Sequence, residues 1–168
     1  MASETLQHLK MSLTLSFVVI GEDGKQQTRS LEIPLLYSDG NAANQLGQVF
    51  FDDSRALNNT SEELDFNGST QKDFQGGNLD MTGLRVLFVQ NLATASGDTV
   101  TVSQPASNGV PDLFAGAGDG IKIPPGGLLL WASPGTDDAP VTASTGDKLQ
   151  IATNDNISYR VLAAGRNT

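Results

Sequence analysis

The chain has 168 residues, 38% hydrophobic and only 17% charged, with 18 glycines, a length that favours one domain burying roughly 70% of its unfolded surface. Its net charge of −9 and ten scattered Lys and Arg residues exclude the basic stripe that neutralises phosphates, so no nucleic acid is expected as a partner. The absence of cysteine excludes disulfides and thiolate chemistry, and the longest apolar run, Leu128–Ala132, is far too short to span a membrane.

Residues 1–10 lack the basic start and long apolar stretch of a secretory signal. They read as a short N-terminal arm in which Ser3 is placed to cap one helical turn carrying Leu6 and Leu9. From residue 11 to 20 the pattern has a period of two: Met11, Leu13, Leu15, Phe17 and Val19 alternate with Ser12, Thr14 and Ser16, which predicts a strand. A Gly- and Asp-containing turn at 21–25 and a return over 26–33, with Leu31 and Ile33 inward, predict a hairpin. Pro34 is expected to end its pairing.

The turn Ser38-Asp39-Gly40-Asn41 precedes a less regular strand at 47–52, and Leu64 and Phe66 mark a short one at 62–66. Residues 84–92 carry Leu84, Val86 and Phe88 on one expected face and Leu87 and Val89 on the other. Apolar residues on both faces predict a central strand, or one face in a subunit contact. Gly-Asp turns feed alternating strands at 96–102 and again at 145–151, a likeness that hairpin chemistry explains without a repeat.

Residues 104–120 form the longest loop. A short strand follows at Ile121 and Ile123, then a bend at Pro124-Pro125-Gly126-Gly127, an apolar strand at 128–131, and a closing strand with Ile157, Tyr159, Val161 and Ala163 on one face. Roughly ten short strands at 8–12-residue spacing with almost no helix signal predict an all-β fold: an antiparallel β-sandwich of jelly-roll or Greek-key type over residues 11–168.

Catalytic patterns are absent. His8, the single histidine, sits in the arm, and no G-x-S-x-G occurs. The glycines at 116, 118 and 120 lack the spacing of a dinucleotide loop. The pairs Asp52-Asp53, Glu62-Glu63 and Asp137-Asp138 are adjacent in sequence, so on a strand their carboxylates point to opposite faces. Turns such as Ser38-Asp39-Gly40-Asn41 and Asn154-Asp155-Asn156 are rich in oxygen ligands, but Asx-turn chemistry explains them without calcium. Tyr37, Trp131 and Tyr159 are candidates for a sugar-stacking row, although Trp131 and Tyr159 fall where a core is expected. The expectation is a non-enzyme with no cofactor and no metal.

Four stretches then carry a family resemblance. They are Ser61-Glu62-Glu63-Leu64-Asp65-Phe66-Asn67-Gly68-Ser69; Leu84-Arg85-Val86-Leu87-Phe88-Val89-Gln90-Asn91-Leu92 with the following Gly97-Asp98-Thr99-Val100-Thr101-Val102; Ile123-Pro124-Pro125-Gly126-Gly127-Leu128-Leu129-Leu130; and Val141-Thr142-Ala143-Ser144-Thr145-Gly146-Asp147 running into Tyr159-Arg160-Val161. In this order, over roughly residues 12–165, the chain resembles small all-β virion proteins of tailed bacteriophages, of the head decoration or cement type. The resemblance implies a homo-oligomer, with a trimer favoured over a dimer, that binds the major capsid protein on the outer surface of the virion. It transfers no catalytic residue. Candidate capsid or subunit contacts are Leu6 and Leu9 in the arm, Asp39, Asn41 and Asn44 in the 39–47 loop, and Pro111, Leu113 and Phe114 in the 104–120 loop. The competing expectation is a receptor- or glycan-binding sandwich on a tail or fibre.

Overall fold

The structure, a computed structural model, describes residues 8–167 except Gly21 and Asp23. In chain order its strands are β1 (His8–Ile20), β2 (Gln26–Asp39), β3 (Gln45–Leu46), β4 (Gln48–Asn58), β5 (Ser61–Asp65), β6 (Asn67–Lys72), β7 (Asn78–Asn91), β8 (Val100–Ser103), β9 (Gly120–Ile123), β10 (Leu128–Ala132), β11 (Ala139–Pro140), β12 (Lys148–Thr153) and β13 (Asn156–Asn167). No helix occurs among the described residues. The all-β expectation is met, although five of the strands are longer than ten residues.

Two sheets make a β-sandwich. One has the order β10-β7-β13-β4, with β6 and β11 also pairing with β7; the other has the order β5-β12-β8-β9. Alternation builds the core between them. In β12, Leu149 and Ile151 are buried while Lys148, Gln150 and Ala152 are more accessible. They meet Leu64, Val100, Val102 and Ile123 of their own sheet and Leu87, Val89, Tyr159 and Val161 of the facing one. Each fully buried Leu or Ile contributes about 1.5–3 kcal/mol.

β7 is the central strand that its two apolar faces predict. Leu87 and Val89 pack in the main core, whereas Val86 belongs to a second cluster on the sheet's other side. Leu84 joins Leu87 in the main core rather than sharing a face with Val86. The cause is a register shift: Val86 pairs with Ala164 but Leu84 with Gly165, so Arg85 is an extra residue on β7. A bulge of this kind turns the following side chains over and re-aims its own.

The second cluster lies under a third, small sheet, β1-β2-β3. Tyr37 and Leu46 are fully buried with Val49, Val86 and Ala164, and Leu9, Met11 and Leu35 pack partly on them. Beyond this base β1 and β2 continue as a two-stranded ribbon of 13 ladder pairs in all, from His8↔Ser38 to Ile20↔Gln26.

Three expectations are corrected by this element. Pairing does not end at Pro34, which lies opposite Ser12 within the ladder. Ser38 donates its N–H to Asn44 O on the β3 side, and because strand N–H directions alternate, position 34 also faces away from β1. Proline is tolerated there because β2 has no neighbour on that edge before Ser38. Leu31 and Ile33 are not inward: they are 51% and 40% exposed. The strand starts at His8, so Leu9 lies in β1 and not in a helical turn or a free arm; Ser3 and Leu6 fall outside the described residues.

Candidate functional site

Two of the expected contact loops are both bonded to one connecting segment, 133–147. Asn44 N donates to Pro134 O at 3.0 Å, β11 joins the same connection to Leu84, and Thr142 N donates to Gly146 O at 3.0 Å. Asp147 N and Lys148 N then donate to Asn108 O at 2.9 and 2.8 Å. The segment 133–147 thus ties the 39–47 loop to the 104–120 loop.

The tie has a charged centre. Arg85, only 2% exposed, donates through Nη1 to the carbonyls of Ala42 and Gln45. Its Nε stands 3.6 Å from Asp138 Oδ2, and Arg166 donates to the same carboxylate from the half-exposed side. Asn41 Oδ1 accepts from Asn167 N at 3.0 Å, closing the loop on the last strand. At the other loop Asp147 accepts from Ser144 N and caps the 142–147 turn.

Backbone conformation marks the same segments. Five described non-glycine residues have positive φ, and four of them lie here: Asn44 (57°), Asn108 (58°), Asp112 (66°) and Ser144 (63°). Asn and Asp tolerate this region through local hydrogen bonds, whereas serine is strained in it. Such conformations persist only where surrounding bonds enforce them, and they concentrate at functional loops.

The expected contact residues are placed as follows. Asp39, Asn41, Asn44 and Pro111 are exposed in these loops, while Leu113 and Phe114 are half-buried against the main core. Leu9 lies apart from them, at the base of the ribbon.

The acidic pairs do not form dyads. Glu62 accepts from Arg55 and from Tyr159 Oη, whereas Glu63 pairs with Lys148 at 2.7 Å, as opposite faces require. Asp52 also pairs with Arg55, at 3.3 Å. Burial acts to raise the Glu62 carboxyl, but hydrogen bonds from Arg55 and Tyr159 and the Arg55 charge outweigh it and hold it below the ordinary glutamate range. Burial and the hydrogen bond to Glu62 push the Tyr159 phenol up.

Among the described residues no group of three or more His, Cys, Asp or Glu could hold a metal ion. The side chains proposed as oxygen ligands serve as loop ties instead: Asn154 accepts from Thr99 N at 2.6 Å and donates to Gly97 O at 2.8 Å. Tyr37 and Tyr159 are fully buried and Trp131 packs partly into the main core, so these three aromatics form no exposed row.

A second surface, which the sequence reading did not assemble, lies on the outer face of the six-stranded sheet. Phe88, Leu128, Leu130, Phe51, Leu162 and Arg160 line an open groove of about 470 Å³, closed on one side by Leu9, Met11 and Leu35 at the ribbon base. Phe51 and Leu128 are 54% and 56% exposed within it. Patches of clustered, exposed large apolar side chains are uncommon on a monomer and mark contact sites. No protein-family model, curated protein or solved structure matches the chain.

Proposed function

We propose that this chain is a structural virion protein of a tailed bacteriophage that binds the assembled capsid lattice and stabilises the head. The major capsid protein is its partner, and its place is the outer surface of the capsid. The observation that supports this best is the preorganised loops, where three left-handed residues are held by named bonds: Arg85 binds the carbonyls on either side of Asn44, the amides of Asp147 and Lys148 hold Asn108, and the Asp147 carboxylate holds Ser144. Loops held in one conformation dock with little ordering cost. A protein that binds only the assembled lattice adds its binding energy to that state alone, and several copies in one cluster multiply weak contacts.

The test is to add the purified full-length chain to expanded shells that lack it. Saturable binding and a raised shell melting temperature are expected. Absence of binding to expanded shells, with binding to tails or to glycans instead, would overturn the head-stabilising reading in favour of a tail or fibre adhesin.

A further inference from the structure

We propose that the apolar face of the β1-β2 ribbon is a self-association element, and that it seats in the groove on the outer sheet face of a second copy of this chain. The proposal deepens the homo-oligomer part of the reading above, but it concerns the free protein and is tested without any lattice.

The ribbon first requires a partner on physical grounds. A two-stranded hairpin with nothing packed on it is marginal in water. Among the described side chains of the ribbon only those at the base, Leu9, Met11, Leu35 and Tyr37, join a core. Further out Leu31 and Ile33 are exposed, and the register sets Leu15 and Leu13 directly opposite them. Leu35, Ile33 and Leu31 occupy alternate positions of β2, hence one face. The other face carries Lys10, Ser12, Thr14, Ser16, Thr28, Ser30 and Glu32 along its middle, with Pro34 and the exposed Leu36 toward the base and Val18 and Ile20 near the tip. The middle of the ribbon is therefore amphipathic, with Leu31 and Ile33 uncovered on its apolar side.

Charge selects the occupant. Residues 8–39 hold three bases against four acids, whereas residues 40–168 hold seven against fourteen. Two copies of so acidic a body repel each other, and the near-neutral ribbon is where that repulsion is weakest. The groove matches it, because its lining is apolar apart from Ser12 and the two cations Lys10 and Arg160.

Area points the same way. The eight ladder pairs beyond Ser12↔Pro34 span roughly 27 Å at ~3.4 Å per residue, and two strands are about 10 Å wide, a planar footprint of about 270 Å². A stable interface needs ~800 Å² from each partner. One ribbon laid on an unrelated surface falls far short. A second copy brings both a ribbon and a groove, so each copy gives and receives one seat and the planar footprint reaches about 540 Å², before side-chain relief is counted. The ribbon base lines the groove, so the two seats form one continuous surface.

The experiment uses the full-length chain in analytical ultracentrifugation, without shells. A closed oligomer is expected for the natural sequence. Ile33→Glu on the ribbon and Leu128→Glu in the groove should each weaken self-association on the order of 100-fold, whereas Thr28→Glu on the polar face should leave it unchanged. A ribbon-trimmed variant, with residues 13–33 replaced by Asn-Gly, gives the same readout should Ile33→Glu misfold. Mixing the ribbon and groove variants distinguishes the seat: the mixed pair keeps one intact ribbon on one intact groove where either variant alone keeps none, so it should associate more tightly than either variant alone and more weakly than the natural chain. A monomeric natural chain at about 50 μM, a ribbon variant that associates as tightly as the natural chain, or a mixture that associates no more tightly than either variant alone overturns the proposal.

Discussion

Replacing Arg85 with methionine should cost more than replacing its neighbour Arg166. Arg85→Met keeps the aliphatic volume but removes the donors to Ala42 O and Gln45 O and one of the two cations facing Asp138. Breaking a buried ion pair on one side costs about 3–5 kcal/mol, with buried carbonyls left unpaired included in that range. At ~2.1 cal/mol/K per residue, a 168-residue chain has an unfolding entropy of about 0.35 kcal/mol/K near its midpoint, so the melting temperature should fall roughly 9–14 °C. Arg166 is 39% exposed but holds the hydrogen bonds to the buried Asp138, so Arg166→Met should cost less, about 1–2 kcal/mol or ~3–6 °C. Differential scanning calorimetry measures both, and hydrogen exchange should show the amides of Asn44 and Gln45 losing protection only in Arg85→Met. Equal losses in the two variants, or an Arg85→Met melt within ~2 °C of the natural chain, would refute the view that Arg85 fixes the 39–47 loop.

Two further outcomes follow from the packing and the electrostatics. Because Glu62 titrates below its unfolded value, its contribution to stability is complete above about pH 4.3 and is lost as pH falls through the lower folded value. Glu62→Gln should therefore flatten the acid limb of melting temperature against pH below about 4.3, and an unchanged acid limb would contradict the assignment. A methyl added at Gly165 would lie 2.1 Å from Gly83 O, which only backbone movement relieves, so Gly165→Ala should lose at least about 2 kcal/mol in urea unfolding. An unaltered urea midpoint would show that β7 and β13 are not so closely apposed.

Period-two alternation was enough to locate the strands that face the core. Leu149 and Ile151, Val100 and Val102, and Tyr159, Val161 and Ala163 are each buried as their spacing predicts. The same rule misjudged Leu31 and Ile33, because alternation specifies which residues share a face and not whether anything covers it. It also placed Leu84 on the wrong side, since the bulge at Arg85 breaks the parity. A lone arginine between Leu84 and Val86 in a run apolar on both faces was the available signal, because a charge there needs a partner. The turn residues Asn41, Asn44 and Asn108 were recognisable as loop chemistry. The tie between their loops was not, because it depends on the path of 133–147. The groove brings Phe51, Phe88, Leu128 and Leu162 together from four strands, and strand order cannot be read from composition.

Pro34 has a bearing on how copies of this protein avoid uncontrolled stacking. A protruding hairpin presents bare strand margins, the usual template for amyloid-like growth. On the β2 margin the ring of Pro34 stands where an incoming strand would seek an amide donor, so lateral zippering is interrupted midway along the protrusion. A sticky broad side can then be kept for a finite complex while the adjoining margin is denied to fibrils.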